Sequence, residues 1–196
     1  MWPWEHIAVA YLTYSLGSRL VGRRPAATAA AAVAVGALFP DLVDKPLSWV
    51  FGVLPGGRSL AHSLLVAVPV VLLVGLVARD RRAGALGVAF SVGYLSHLPL
   101  DVLASGVFGG EFDTGFLLWP LTPTATRQPD SPAFVHLLEQ HREFLAFLTS
   151  PVGRRYLAFE LLLLLLASLV WWLDGAPGLG WLRRRAGGLR RLVHGS

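Results

Sequence analysis

The sequence predicts an all-α fold: a polytopic membrane helix bundle of about five spans, with one further interfacial amphipathic helix. Three observations carry this. Hydrophobic residues make up 54% of the chain and charged residues only 15%, where an ordinary soluble domain carries about 25% charged; the mean hydropathy is +0.57. The apolar residues fall in runs of near-spanning length. The arginines gather in short stretches between those runs, which is the positive-inside pattern. The pI near 10.4 therefore points to anionic lipid headgroups and not to nucleic acid.

The start, Met1-Trp2-Pro3-Trp4-Glu5-His6, lacks the basic segment of a cleaved signal peptide, so Trp2 and Trp4 read as interfacial anchors of a retained first span. That span runs from Ile7 to Val21 and ends at Gly22-Arg23-Arg24-Pro25. The second, Ala26 to Phe39, is Ala-rich and short for a bilayer unless Pro40 to Val43 extend it. Lys45 to Gly57 reads as an interfacial or re-entrant loop. The third run, Leu60 to Ala78, has Ser59 as its expected N-cap and ends at Arg79-Asp80-Arg81-Arg82. The fourth, Gly84 to Ala104, has Gly87 and Ser91 at a spacing that favours close packing in lipid.

Ser105 to Pro132 is loop, and Ser131-Pro132 reads as an N-cap followed by proline at the first helical position. Ala133 to Thr149 sets Phe134, Leu137, Leu138, Leu145 and Leu148 against Glu139, Gln140, Arg142 and Glu143, an amphipathic helix expected on the membrane surface. His136 and His141 lie in it and are expected to be solvated. Tyr156 to Leu173 is the clearest span, with Glu160 facing protein or water near its outer end. Residues 1–182 form a single membrane-embedded domain, followed by a basic cytoplasmic tail, 183–196, in which His194 has no evident role. Repeats and low-complexity linkers are absent, and cysteine is absent too, which excludes disulfides and thiolate metal sites.

Five spans place the Arg23-Arg24 loop, the Arg79 to Arg82 loop and the tail on the cytoplasmic side, with the N-terminus outside; Arg154-Arg155 then fall outside, against the pattern. On that topology His6, Asp41, Asp44, His62, His97 and Asp101 all reach the outer face, from four different helices. His97 and Asp101 are four residues apart, one turn along one helix face. Each residue alone has an ordinary reading, as surface anchor, turn residue, first-turn polar group or hydrogen-bonded pair. Together they are costly near hydrocarbon. The three carboxylates also sit near helix C-termini, where the macrodipole disfavours anions by about 0.3–1 kcal/mol each. A divalent cation held by these six residues resolves the conflict. A His and Asp donor set suits zinc first and manganese or iron next, better than calcium or magnesium, with one or two ions.

His6, Phe39-Pro40-Asp41-Leu42-Val43-Asp44, Arg58-Ser59-Leu60-Ala61-His62-Ser63, Gly93-Tyr94-Leu95-Ser96-His97-Leu98-Pro99-Leu100-Asp101 and Gly115-Phe116-Leu117-Leu118-Trp119-Pro120 together resemble the YdjM-like inner-membrane metal-dependent hydrolases. This chain differs from the usual pattern in the three-residue step from Asp41 to Asp44 and in having Gly57 where many members have histidine. The resemblance, with its more distant likeness to zinc-dependent phospholipase C, implies a phosphate ester or phospholipid substrate and a metal-activated water. Arg58 and Asp44 are the candidate catalytic residues, Arg58 to pair with a phosphate. Trp119 and the amphipathic helix are candidates to cap the site, with membrane lipid as the expected partner. Two rival classes stand beside the enzyme. A metal transporter calls for ionisable groups near the bilayer midplane and usually an internal repeat, and the sequence has neither. A non-catalytic, metal-stabilised membrane scaffold needs only the ligands.

Overall fold

The protein is described by a computed structural model covering residues 2–109, 111–124 and 129–180. The basic tail expected over 183–196, His194 included, lies outside the described residues. The described residues form six α-helices: α1 (Pro3–Leu20), α2 (Ala27–Lys45), α3 (Leu64–Asp80), α4 (Gly84–Gly109), α5 (Ala133–Leu148) and α6 (Pro151–Leu173). Among the described residues there is no strand. Among the described residues three segments are long and apolar enough to cross a membrane, Ala27–Val50, Gly84–Val107 and Pro151–Leu173. Of the other two expected spans, α1 carries Glu5 and Arg19, and α3 has 17 residues; neither meets that standard. Membrane character is plainest on α6, where Phe159, Leu162, Leu165 and Leu169 are all exposed.

Several boundaries move from their expected places. The second helix does not stop at Phe39. It continues through Pro40 to Lys45 and into a π-helical turn, Pro46–Val50, so part of the expected 45–57 loop is helical. Proline at position 46 lacks an N–H, and the hydrogen-bond register widens there. The third helix starts at Leu64, capped by Ser63, whose side chain accepts from the Leu65 N–H at 3.2 Å. Ser59, the expected cap, lies in the turn before it, where its N–H donates to Asp44 at 2.8 Å. At α5 the N-cap position is Pro132, and Ser131 instead donates to Glu139 at 3.1 Å. The last helix begins at Pro151 with Ser150 as cap, which puts Arg154 and Arg155 inside it.

The core is the crossing of α2 and α4. A Cβ on Gly36 would run into the carbonyl of Phe90, and one on Gly93 into the carbonyl of Val33 and the backbone nitrogen of Ala37. The two backbones touch there, as small residues allow in lipid. Gly87, singled out in the sequence, packs a different pair, facing Ala78 of α3. Ala10, Ala29, Val33, Ala37 and Ala89 fill the junction with α1.

Helix α6 runs parallel to α1 and is tied to it at both ends. Near the start of α1, Tyr156 donates to Glu5 and Trp4 donates to Glu160, so Glu160 faces protein. Beyond the end of α6, Asp174 accepts from Tyr11 at 2.8 Å, Ser15 at 2.6 Å and Arg19 at 2.8 Å. The buried Glu5, Glu160 and Asp174 are thereby satisfied by Tyr156, Trp4, Tyr11, Ser15 and Arg19, as hydrocarbon surroundings require.

Gly93→Ala should destabilise the protein by about 1–3 kcal/mol, the usual range for overpacking. Gly75→Ala meets no atom within 4 Å and should be neutral or gain up to about 1 kcal/mol. Thermal unfolding of both variants in one detergent checks the contrast.

Candidate metal centre

Asp44 organises the site. Its carboxylate, at the last turn of α2, accepts the backbone N–H of Ser59 and of Ala61, each at 2.8 Å, and that of His62 at 3.3 Å. It also accepts from His62 Nδ1 at 2.8 Å. With these three backbone N–H groups and one ring nitrogen on the carboxylate, the 59–62 segment is a turn held to the end of α2, and Ser63 caps α3. Tyr94 of α4 donates to the Ala61 carbonyl at 2.6 Å and pins the turn from the other side.

The tautomers follow from the acceptors. A carboxylate and a backbone carbonyl only accept, so His62 Nδ1, on Asp44, and His97 Nδ1, 2.7 Å from the Ala37 carbonyl, each carry the hydrogen. Both Nε2 atoms therefore point inward, 3.1 Å apart. Asp101 Oδ2 lies 3.4 Å from His62 Nε2 and 3.7 Å from His97 Nε2. Asp41 Oδ1 lies 3.6 Å and 4.0 Å from the same two atoms. The other oxygen of Asp41 pairs with Lys45 at 2.6 Å, one turn on. His6 stacks on His97, ring centres 3.8 Å apart, with Nε2 3.3 Å from Asp101 Oδ1.

The sequence-derived set thus gathers at one end of the bundle. Two triads, His6 with Asp41 and His97, and His62 with His97 and Asp101, have donor atoms all within 4.8 Å of one another and could hold a metal ion. Asp44 stands behind His62, in neither triad. Arg58 lies at the edge: its guanidinium is 3.4 Å from the Asp101 carbonyl oxygen, 3.8 Å from Asp113 and over the Phe116 ring at 5.2 Å. Trp119 enters through its backbone, whose carbonyl accepts from Ser63 at 2.7 Å. Helix α5 packs on Trp2 and Trp49 through His141 and His136. His136 is half-buried there, so it is not the fully solvated residue expected; His141 is exposed.

The donor chemistry fits a divalent cation. Zinc bonds of about 2.0–2.1 Å place tetrahedral ligands about 3.3–3.4 Å apart, and the inward atoms of His62, His97 and Asp101 are separated by 3.1 to 3.7 Å, with Asp41 Oδ1 3.6 Å and 4.0 Å from the two imidazole nitrogens. Two imidazole nitrogens with lone pairs face to face need a proton or a cation between them. Neither ring nitrogen of His6, fully buried, makes a hydrogen bond among the described residues, and an orphaned buried nitrogen is costly. In the metal-free protein a proton takes that place. Burial disfavours the His62 cation, but the carboxylates of Asp101, Asp41 and Asp44 outweigh it and push the imidazole up to about 10.

Sequence reasoning set Lys45 near the carboxylates without assigning its pairing with Asp41 one helical turn before it, and it missed the role of Tyr94, one turn before His97 on the same face. It also missed Asp113 and the Ala37 carbonyl, whose roles depend on tertiary approach and leave no local signal. The model of the family described as YdjM inner membrane protein matches residues 1–176. No curated protein and no solved structure matches the chain.

With His62 raised from 6.5 to about 10, its ion pairs stabilise the metal-free fold fully below pH 6.5, and the contribution declines as pH rises and is gone above about 10. Melting temperatures of metal-stripped protein should therefore fall from pH 6.5 to 10, with a flatter profile for His62→Gln.

Proposed function

The chain belongs to the YdjM inner membrane protein family, and from that premise we propose a membrane-bound, metal-dependent hydrolase acting on a phosphate ester or phospholipid. The observation that carries the reading is the convergence of His6, Asp41, His62, His97 and Asp101 from four segments of the chain onto two overlapping ligand triads. These five residues would hold one or two divalent ions, zinc first and manganese or iron next by donor type. A bound ion there supplies Lewis-acid activation of water and of the ester oxygen.

The chain's own groups prepare that chemistry. Asp44 holds the Nδ1 hydrogen of His62 and so aims the opposite nitrogen inward, the usual task of a carboxylate behind a ligating histidine. In this reading Asp44 acts through His62, and the Ala37 carbonyl does the same for His97. Lys45 neutralises the outer oxygen of Asp41. Arg58 offers a planar guanidinium beside Asp101, suited to two oxygens of a phosphate. Phe116 and Asp113 fix where that guanidinium sits.

The five-span arrangement belongs to the same proposal. Helices α1, α3 and α6 begin, and α2 and α4 end, on the side of the cluster, so five crossings put the ligands at one face. The arginine stretches at 23–24 and 79–82 lie at the other, which makes the cluster face the outer one and the C-terminal tail cytoplasmic. A second reading, a metal-stabilised scaffold without catalysis, is favoured by one observation: His62 and His97 are fully buried, as ligands of closed structural sites are.

Elemental analysis of purified protein should find bound metal in the wild type and its loss in His97→Ala, with helicity retained. Asp44→Asn should weaken metal affinity by about 10–100-fold. Turnover of phosphate esters by the metal-loaded wild type decides for the enzyme; bound metal with no turnover across phosphate esters and phospholipids decides for the scaffold.

A further inference from the structure

Helix α5 presents three different sectors. One faces the bundle: His136 meets Trp49 at 4.9 Å, Phe144 meets Trp2 at 4.8 Å, and Phe147 meets Tyr156 at 5.8 Å between ring centres. A second, polar sector holds Glu139, Arg142 and Glu143, all exposed. Between them Phe134, Leu138 and Leu145, at positions i, i+4 and i+11 on one stripe, are 70%, 53% and 65% exposed. No described residue covers that stripe.

The partners of the inner sector are specific. Trp2 opens α1, one turn before His6; Trp49 closes the π-turn that follows Asp44, and lies 3.0 Å from where a Cβ on Gly57 would sit, next to Arg58. Helix α5 therefore bridges, at the cluster end of the bundle, the two elements that carry His6 and Asp41. Its apolar stripe lies on the same molecule as the exposed leucines of α6, a helix long and apolar enough to cross a membrane. A helix with one apolar and one charged flank beside a bilayer rests at the level where acyl chains meet headgroups. The polar flank then takes the water side, and the bundle takes the third.

We propose that α5 is a membrane-seated strap: its Phe134–Leu138–Leu145 stripe is immersed in the acyl layer, and the metal cluster beneath it is supplied from the lipid. This rests on the hydrolase reading for its chemistry and narrows the substrate to a lipid-borne phosphate ester, as against a water-soluble one. Arg58, beside Asp101, receives the headgroup while the acyl chains stay with the stripe.

The absence of cysteine makes the test direct. Leu138→Cys and Arg142→Cys, each nitroxide-labelled in full-length protein in lipid nanodiscs, should differ in collision behaviour. The label at 138 should be accessible to oxygen and shielded from a water-soluble nickel chelate, and the label at 142 the reverse. Equal nickel access at both positions would overturn the proposal. In parallel, zinc-loaded wild type is assayed on phosphatidic acid in phosphatidylcholine vesicles and on p-nitrophenyl phosphate. Preferential cleavage of the lipid supports the proposal; cleavage of the soluble ester with the lipid untouched overturns it and leaves the hydrolase reading standing. If neither is cleaved, the hydrolase reading fails, and the nitroxide pattern decides the seating of α5 alone.

Discussion

The backbone contact of α2 and α4 at Gly36 and Gly93 is the constraint on which the site depends. Only helices that close can bring the Ala37 carbonyl within 2.7 Å of His97 Nδ1. That bond fixes the ring so that its other nitrogen meets His62. Separate the helices by the width of one methyl group, and Asp41 on α2 no longer faces His97 and Asp101 on α4. Two absent side chains thus set the spacing of several donors.

The electrostatics divide along the same lines. Three carboxylates gathered at one end of the bundle look like an unfavourable concentration of negative charge, although Asp101 lies well inside α4 and not at its C-terminus as the sequence led one to expect. Each has its own resolution in the fold. Asp44 is saturated by three backbone N–H groups and an imidazole, Asp41 has Lys45, and Asp101 has three histidines. The inward-facing nitrogens and carboxylate oxygens that remain are the ones that make a cation site of the arrangement.

Much of this was legible in the sequence, for stated reasons. Apolar runs separated by arginines give an all-helical membrane bundle, and the four-residue step from His97 to Asp101 gives one shared face. The gathering of His6, Asp41 and His62 beside that pair followed from counting crossings. What was not legible depended on tertiary approach. Gly87 and Ser91 carry the more obvious small-residue spacing, yet the tight crossing falls on Gly36 and Gly93, because helix facing is decided by every neighbour at once. Ser59 is as good a cap as Ser63 by sequence, and only the fold shows Ser63 capping α3 while the Ser59 N–H goes to the Asp44 carboxylate. The same lone-pair accounting separates Asp44 from the other five, and no spacing rule supplies it. The extension of the second span past Phe39, left open in the sequence, is realised: Pro40 lies within α2, which runs on to Lys45.

The pairing of α1 with α6 bears on how the chain is made. Tyr11, Ser15 and Arg19 meet their acceptor only when residue 174 has been synthesised, and Glu5 meets Tyr156 only shortly before that. Helix α1, made before the other described helices, therefore has its polar groups answered only after α6 has been made.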